Sequence, residues 1–360
     1  MQKKEGKPMD INEISRMEPD VCELSSGETV FVHLFRPQDA PGIGQLFHSV
    51  YGDKYPVKHF YEPQGLVRVL ESGDNYSIVA RKENGEIIGH MGLFRSAPFP
   101  GLYEAGAGLV LSEFRKEGLN QALLRYTYDT LSPALGIDEA WGEAVCNHIY
   151  MQKVTERFKF IETGLEIDLM PQEAFHREKS SAGRVSSLAA FRCYIPKPHA
   201  VYLPAVYEKV LRTIYSRLDD TRTLGASEVQ PPPGSTSDVS FQIFEFAQVV
   251  RVRVMTIGED FEACFKKLET KLLEGNIKVL QVWVNLGCPW VGRAVEILRR
   301  KGYFFGALLP RWFGEDGLLM QKLIDPPGWE NITLFSDRAL ELLEIIRNDR
   351  EDVLSLQARP

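Results

Sequence analysis

Apolar and polar residues alternate at 30–35, which predicts a strand, and the largely apolar segments 76–81 and 87–94 read as two more. Between the last two, Glu83-Asn84-Gly85 carries the Asn-Gly pair of a tight hairpin. A strand rich in Gly and Ala is predicted over 103–111, followed by a helix whose apolar face is Leu119, Ala122, Leu123 and Tyr126. Helices are predicted over 39–50, with Asp39 as N-cap, and over 65–70. A strand at 140–146 and a helix at 148–158 follow. Strands at 166–170 and 188–194 flank a polar stretch at 176–187. Residues 1–28 are polar and irregular and read as an N-terminal arm.

The second half repeats this rhythm. A helical run covers 205–218, and a Pro/Gly/Ser stretch at 225–240 reads as an exposed loop. Two short strands over 241–255 join near Ala247. Phe261, Cys264, Phe265, Leu268 and Leu272 mark a helix, 278–285 a strand, and Val291, Ala294, Val295 and Leu298 another helix. A strand at 318–323 and a helix at 331–355 close the chain. The stripe Ala339, Leu342, Leu343 and Ile346 docks on the second domain or, alternatively, makes a dimer contact. The pattern predicts an α/β (α+β) fold.

Composition narrows the function classes. At 360 residues, with 44% hydrophobic and 25% charged residues, the chain is long enough for two globular domains. Its net charge of −7 argues against nucleic acid as the main partner. No apolar run approaches the roughly 18 residues of a membrane span, and the first twenty residues hold no apolar leader core. Cys22, Cys146, Cys193, Cys264 and Cys288 form no C-x-x-C pair, so neither a disulfide framework nor a zinc knuckle is expected. These features together predict a cytoplasmic protein with no metal and no membrane partner. Neither dinucleotide nor P-loop glycine patterns occur, nor His-x-x-x-His or Gly-x-Ser-x-Gly.

The informative feature is the strand–turn–helix around Gly118. A glycine there lets backbone N–H groups approach a phosphate, the helix N-terminus adds positive potential, and Arg115 and Lys116 add cationic donors. An ordinary β–α turn is the other reading. The run Arg115-Lys116-Glu117-Gly118-Leu119-Asn120, preceded by Leu109-Val110-Leu111-Ser112-Glu113-Phe114, resembles the GNAT N-acetyltransferase superfamily, whose pattern is Q/R-x-x-G-x-G/A. It matches at Arg115 and Gly118 and departs at Asn120. The order of elements from 30 to 195 is also the family's.

The resemblance implies an acyl-CoA N-acyltransferase fold, a mixed and mostly antiparallel twisted sheet flanked by helices and here in two tandem copies, with acetyl-CoA as cofactor. The amides of Arg115, Lys116, Glu117, Gly118, Leu119 and Asn120 would hold its pyrophosphate. Leu109, Val110 and Leu111 would pair with the pantetheine arm, with the N–H of Val110 or Leu111 polarising the thioester carbonyl. The reaction implied is acetyl or short-acyl transfer to a primary amine on a small molecule or peptide. A CoA-binding sensor or scaffold without turnover is the alternative. A homodimer is compatible with either.

Glu104 stands eleven residues before Arg115, at the spacing of the family's base glutamate. On an undistorted strand it shares a face with Val110; a bulge would separate them. It is a base candidate or a half-exposed sheet-edge carboxylate. Glu143, within the apolar run Trp141-Gly142-Glu143-Ala144-Val145, is a second base candidate or a core carboxylate satisfied by an arginine. The family's acid tyrosine is replaced by Thr155, four residues before Lys159-Phe160, which leaves Tyr150 as acid or as a packing residue. The aromatic segment Tyr51, Tyr55, His59, Phe60, Tyr61 corresponds to a wall of the family's acceptor site.

Gly302-Tyr303 stands 143 residues after Lys159-Phe160, which points to a duplication. The second copy's turn, Thr256-Ile257-Gly258-Glu259-Asp260, holds two acids and no base and is expected not to bind CoA. The domains expected are an arm at 1–28, a GNAT domain at 29–195, a degenerate GNAT-like domain at 196–330 and a C-terminal helix and tail at 331–360.

Overall fold

The alternating segments fold as sheets and the 3.6-period segments as helices on their faces. A computed structural model describes residues 11–53, 55, 57–175, 183–227 and 229–358; most of the polar stretch 176–187 and the first ten residues of the arm lie outside them. The chain divides at Gly142/Glu143 into two units, each with its own core. This division falls within the span 29–195. The strands expected at 166–170 and 188–194 accordingly pack within the second unit.

The first unit contains α1 (Ile11–Ile14), β1 (Asp20–Glu23), β2 (Thr29–Leu34), α2 (Ala40–Tyr51), α3 (Pro63–Glu71), β3 (Asn75–Lys82), β4 (Ile87–Phe94), β5 (Leu102–Val110), α4 (Leu119–Arg125), α5 (Ser132–Leu135) and most of β6 (Glu139–Val145). Strands β1 to β5 pair antiparallel in sequence order, and β5 pairs parallel with β6. The described part of the N-terminal arm is therefore not irregular: β1 extends the sheet by pairing with β2.

Helices cover both faces of this sheet. Phe47 of α2 meets the His90 ring of β4 edge-on at 5.1 Å, and Leu119 and Leu123 of α4 close over Gly89. A Cβ at Gly89 would lie 3.1 Å from Leu123 Cδ1, so this glycine admits the helix. Asp39 precedes α2, but its carboxylate makes no cap bond to that helix. It accepts from the Arg36 N–H (2.9 Å) and pairs with Arg81 of β3. A π-helical stretch, Tyr126–Leu131, joins α4 to α5.

The second unit continues with α6 (Tyr150–Arg157), β7 (Ile161–Met170), β8 (Val185–Cys193), β9 (His199–Leu203), α7 (Glu208–Tyr215), β10 (Arg222–Ala226), β11 (Asp238–Phe244), β12 (Val249–Thr256), α8 (Phe261–Leu273), β13 (Val279–Asn285), α9 (Val291–Arg300), β14 (Phe304–Leu309), β15 (Gly317–Leu323) and α10 (Asp337–Gln357). Its strand order is β8-β7-β14-β15-β13-β12-β11. Among the pairings set out by register, only β12 with β13 runs parallel in that sheet. A separate parallel pair joins β9 to β10.

One core runs under this sheet, with Val250, Val252, Val254, Val282 and Met320 facing Phe265, Leu298, Leu342 and Ile346. The apolar stripe of α10 is thus used inside the unit, where the helix packs on β7 and β14. Three strands of this unit were not anticipated from the sequence. β9 and β10 are five-residue strands beside proline- and glycine-rich loops, and β14 follows Gly302-Tyr303 without alternation because both its faces are buried.

Candidate functional site

The site is built on β5 and the turn that follows it. Parallel pairing with β6 stops after Leu102, Tyr103 and Glu104. β5 runs on to Val110 with β4 as its partner, so among the described residues no strand pairs with its other edge over 105–110, which is open. Within that stretch the register shifts: Gly92 faces Gly106 while His90 faces Leu109, so one residue is extra. Ala107, with φ +50°, is at this bulge.

The bulge corrects the simple parity argument. Glu104 opposes Phe94 and Leu109 opposes His90, whereas Val110 opposes Gly89. Cross-strand partners share a face, so Glu104 and Val110 project to opposite faces. The backbone tells more. The Leu111 N–H donates to the Ile88 C=O (3.0 Å), so Leu111 is the hydrogen-bonded member of its pair. By the alternation of an antiparallel ladder, the N–H and C=O of Val110 point away from β4 toward the open edge. Arg115 Nε donates to that Val110 C=O at 3.3 Å, from the same side. Of the two amides expected to polarise a carbonyl, Leu111 is occupied and Val110 is presented.

After Val110 the chain makes a single 3₁₀ turn, Ser112–Phe114, and then reverses twice. Lys116 has φ +72° and Gly118 φ +82°. Left-handed residues at this spacing turn successive amides toward one concavity, the form of an anion-binding nest. Gly118 is the N-cap of α4, and its side-chain direction meets no heavy atom within 4 Å. The first-turn amides at Leu119 and Asn120 lack intrahelical acceptors by position. Arg115 and Lys116 are exposed, Leu119 is buried under β4, and Asn120 is half-buried. Glu117 is half-buried with Oε2 shut from solvent and unbonded among the described residues, so its contribution is its backbone N–H. The residues present fit a pyrophosphate: clustered N–H donors, two cations, and a glycine that keeps the approach clear.

Glu104 lies on the β5 face that also carries His90, the face covered by α2 and the aromatic segment. Phe47 stacks on Phe60 (4.2 Å, 8° between planes), and Tyr55 packs edge-on to Phe47 (4.9 Å) and beside Tyr51 (4.9 Å). Burial holds the Tyr55 phenol well above its ordinary range, with Tyr51, Glu104 and Tyr61 adding to the effect. Its proton stays on. Tyr61 Oη donates to Gly52 C=O (2.7 Å) and accepts from the Tyr55 N–H (3.1 Å). The aromatic segment is thus partly core, with Phe60 buried and Tyr51, Tyr55, His59 and Tyr61 half-buried, and the Glu104 carboxylate acts electrostatically on Tyr55.

The second unit holds the other two sequence candidates. Glu143 Oε1 accepts from Arg251 (2.9 Å), whose guanidinium also reaches Glu166 (3.2 Å) and Gln281 (2.8 Å). Burial, reinforced by Glu143, raises the Glu166 carboxyl. Glu143 is therefore part of a carboxylate pair clamped by an arginine. Tyr150 is 74% exposed at the start of α6, with its ring 5.2 Å from that of His148.

The second strand–helix turn is closed by its own chain. The Gly258 N–H donates to Ser237 Oγ (2.9 Å) and the Glu259 N–H to Ser235 C=O (3.1 Å). Glu259 Oε2 accepts from the Gly234 N–H (2.8 Å), and Asp260 Oδ1 from Ser237 N–H and Oγ (2.8 Å each). A Cβ on Gly258 would lie 2.4 Å from Thr236 C, so this glycine makes room for chain, not for a phosphate. No spacing rule could have revealed that plug. The His90 contact to the bulge did have a signal, a lone histidine in the apolar run Ile87-Ile88-Gly89-His90-Met91. Among the described residues, no cluster of three or more His, Cys, Asp or Glu could hold a metal, and no helix is long and apolar enough to cross a membrane.

No protein-family model matches the sequence, and no curated protein matches it. Solved structures similar to part of the chain include the ribosomal-protein-S5-alanine acetyltransferase of Vibrio fischeri, at 16% identity and TM-score 0.38, covering 48% of this chain and 96% of that one. An aminoglycoside 6′-N-acetyltransferase complexed with coenzyme A is similar at 12% identity and TM-score 0.34, over 46% of this chain and 98% of that one. RimJ of Mycobacterium smegmatis, in complex with CoA-disulfide, is similar at 14% identity and TM-score 0.36, over 49% and 90%.

Proposed function

We propose that this protein is a GNAT-type N-acyltransferase with one working acyl-CoA site, built on β5, the 115–120 turn and α4. One observation carries the reading: the parallel pair β5/β6 is joined for three residues only, and the Val110 amide faces the resulting open edge immediately before the nest. An open strand edge next to clustered N–H groups suits a ligand with an amide-bearing arm and a pyrophosphate.

Each residue then has a task. Amides at 116–120, with Arg115 and Lys116, hold the pyrophosphate. Acyl-CoA, when bound, supplies the activated acyl carbon. The Val110 N–H is the donor for charge developing on a carbonyl oxygen. Glu104 accepts the proton that a primary ammonium must lose, directly or through water. The acceptor is a small-molecule or peptide amine, bounded by the aromatic segment. Tyr150 and Glu143 are not needed for these tasks.

Residues 196–330 are read as a degenerate second copy. Two features of the second unit support this. Helices α6 and α9 end alike: Lys159 (φ +61°) and Gly302 (φ +95°) take the left-handed position, and Phe160 N–H donates to Thr155 C=O as Tyr303 N–H does to Leu298 C=O (both 3.0 Å). The strands following them also match in order, β8 then β7 and β15 then β14.

The test is thiol release from acetyl-CoA across a panel of primary amines, with CoA affinity measured by calorimetry. Glu104→Gln is expected to lower kcat by about 10²–10³-fold with the CoA Kd within twofold of wild type. Glu143→Gln breaks the pair with Arg251 and is expected to lower stability while leaving kcat of the folded fraction within threefold. CoA binding without thiol release for any amine would favour a sensor or scaffold. No measurable binding by wild type would overturn the reading.

A further inference from the structure

We propose that His90 is a positioning residue: by holding the carbonyl of Ala107 it fixes the β5 bulge and so selects Val110 as the amide that faces the open edge. The proposal rests on the reading of that edge as the acyl-binding one.

His90 is fully buried, in the middle of β4. Its Nδ1 lies 2.9 Å from the Ala107 C=O, which accepts only, so Nδ1 carries the proton. Nε2 is then the acceptor, and Ser77 Oγ–H donates to it at 3.0 Å. The ring is further fixed edge-on against Phe47 and Phe60, each at 5.1 Å. Every polar atom of the imidazole is used, and one of its two bonds goes to the residue at the bulge.

That bond matters because of register. A bulge inserts one residue and thereby inverts which amides beyond it face the neighbouring strand. With the bulge, Leu111 bonds to Ile88 and Val110 is presented. Without it, the amides of Leu109 and Leu111 would turn outward and Val110 would enter the ladder. At the bulge the half-buried Ala107 carbonyl would otherwise be short of a donor, which the imidazole N–H supplies. Burial lowers the His90 pKa to about 4 against the opposing bond to Ala107, so the ring is neutral; the Ala107 carbonyl sets its tautomer and Ser77 complements it.

The experiment compares wild type, His90→Asn, His90→Phe and Ser77→Ala in full-length protein. Asn places Nδ2 where Nδ1 stood and keeps a donor to Ala107; Phe fills the volume without one. Amide hydrogen exchange of the ligand-free protein reads the register directly. In wild type, Leu111 is expected to be protected and Val110 to exchange at least tenfold faster. His90→Phe is expected to reduce that ratio at least tenfold, His90→Asn to restore it to within threefold, and Ser77→Ala to reduce it about threefold.

In turnover, His90→Phe is expected to lower kcat by about 10–100-fold with the CoA Kd within twofold, and His90→Asn to recover most of it. An unchanged Leu111-to-Val110 ratio in His90→Phe overturns the proposal. So does an equal loss in His90→Asn and His90→Phe, which would mark a purely packing role. Should His90→Phe not fold, an unchanged ratio in Ser77→Ala overturns it instead. Failure of wild type to bind CoA would sink the proposed function, while the exchange pattern would still decide the role of His90.

Discussion

Gly118 holds φ at +82° with open space where a side chain would project, so two effects of substitution separate there. Alanine in that backbone region costs about 1–2 kcal/mol of stability whatever surrounds it. It also places a methyl group at the mouth of the nest. Gly118→Ala is expected to fold, with Tm lowered by a few degrees, and to weaken CoA binding at least tenfold, roughly 1.4 kcal/mol, by calorimetry. An unchanged Kd would mean that the turn is only a turn. At this scale the sequence was informative where a residue type has one main use. Gly118 was legible because a left-handed N-cap requires it. The choice between Val110 and Leu111 was not, because it depends on a bulge at Ala107, a residue type with no turn signature.

At the scale of elements, the hairpin turn at Asn84-Gly85, the helices and most strands followed hydrophobic period, since one buried face leaves a readable stripe. β14 left none because all six of its residues are buried. Glu143 shows the limit for site reading. A carboxylate in an apolar strand looks the same whether it serves catalysis or, as here, an arginine from β12.

That cluster makes its own prediction. The Glu166 carboxyl is raised above its ordinary value by burial and then by Glu143, with Arg251 and Gln281 opposing. The folded state therefore binds more protons than the unfolded one above the ordinary glutamate range. Stability conferred by the protonated form is present at pH 4 and falls as pH rises. Thermal melts are expected to show Tm lower by on the order of 2–4 °C at pH 8.5 than at pH 5.5 from this group. Glu166→Gln should flatten that difference. A slope unchanged in the variant would place its source elsewhere.

For the whole molecule, the decisive quantity is how many CoA molecules one chain binds. A duplicated fold with two live turns would give two. The second turn differs in two independent ways. Its amides and acids are bonded to residues 234–237, so an anion would have to displace chain and meet Glu259 and Asp260. Beyond that, β12 pairs with β13 along six consecutive residues, Val249 to Val254 with Val279 to Val284, and only Met255 and Thr256 follow unpaired on that side, against six residues of β5. The acids can be replaced by mutation; the main-chain contacts of Gly258 and Glu259 with residues 235–237, like the strand pairing, belong to the backbone and stay. Calorimetry is therefore expected to give one CoA per chain in wild type. The pair Glu259→Lys and Asp260→Asn removes both acids and should loosen residues 234–237, seen as faster amide exchange at Gly234 and Ser237. Stoichiometry should nonetheless stay at one, because a pyrophosphate turn without an open β-edge holds only part of the ligand. A second site appearing in that variant would show that charge alone keeps the second turn from binding, and would overturn the weight given to the open β5 edge in the proposed site.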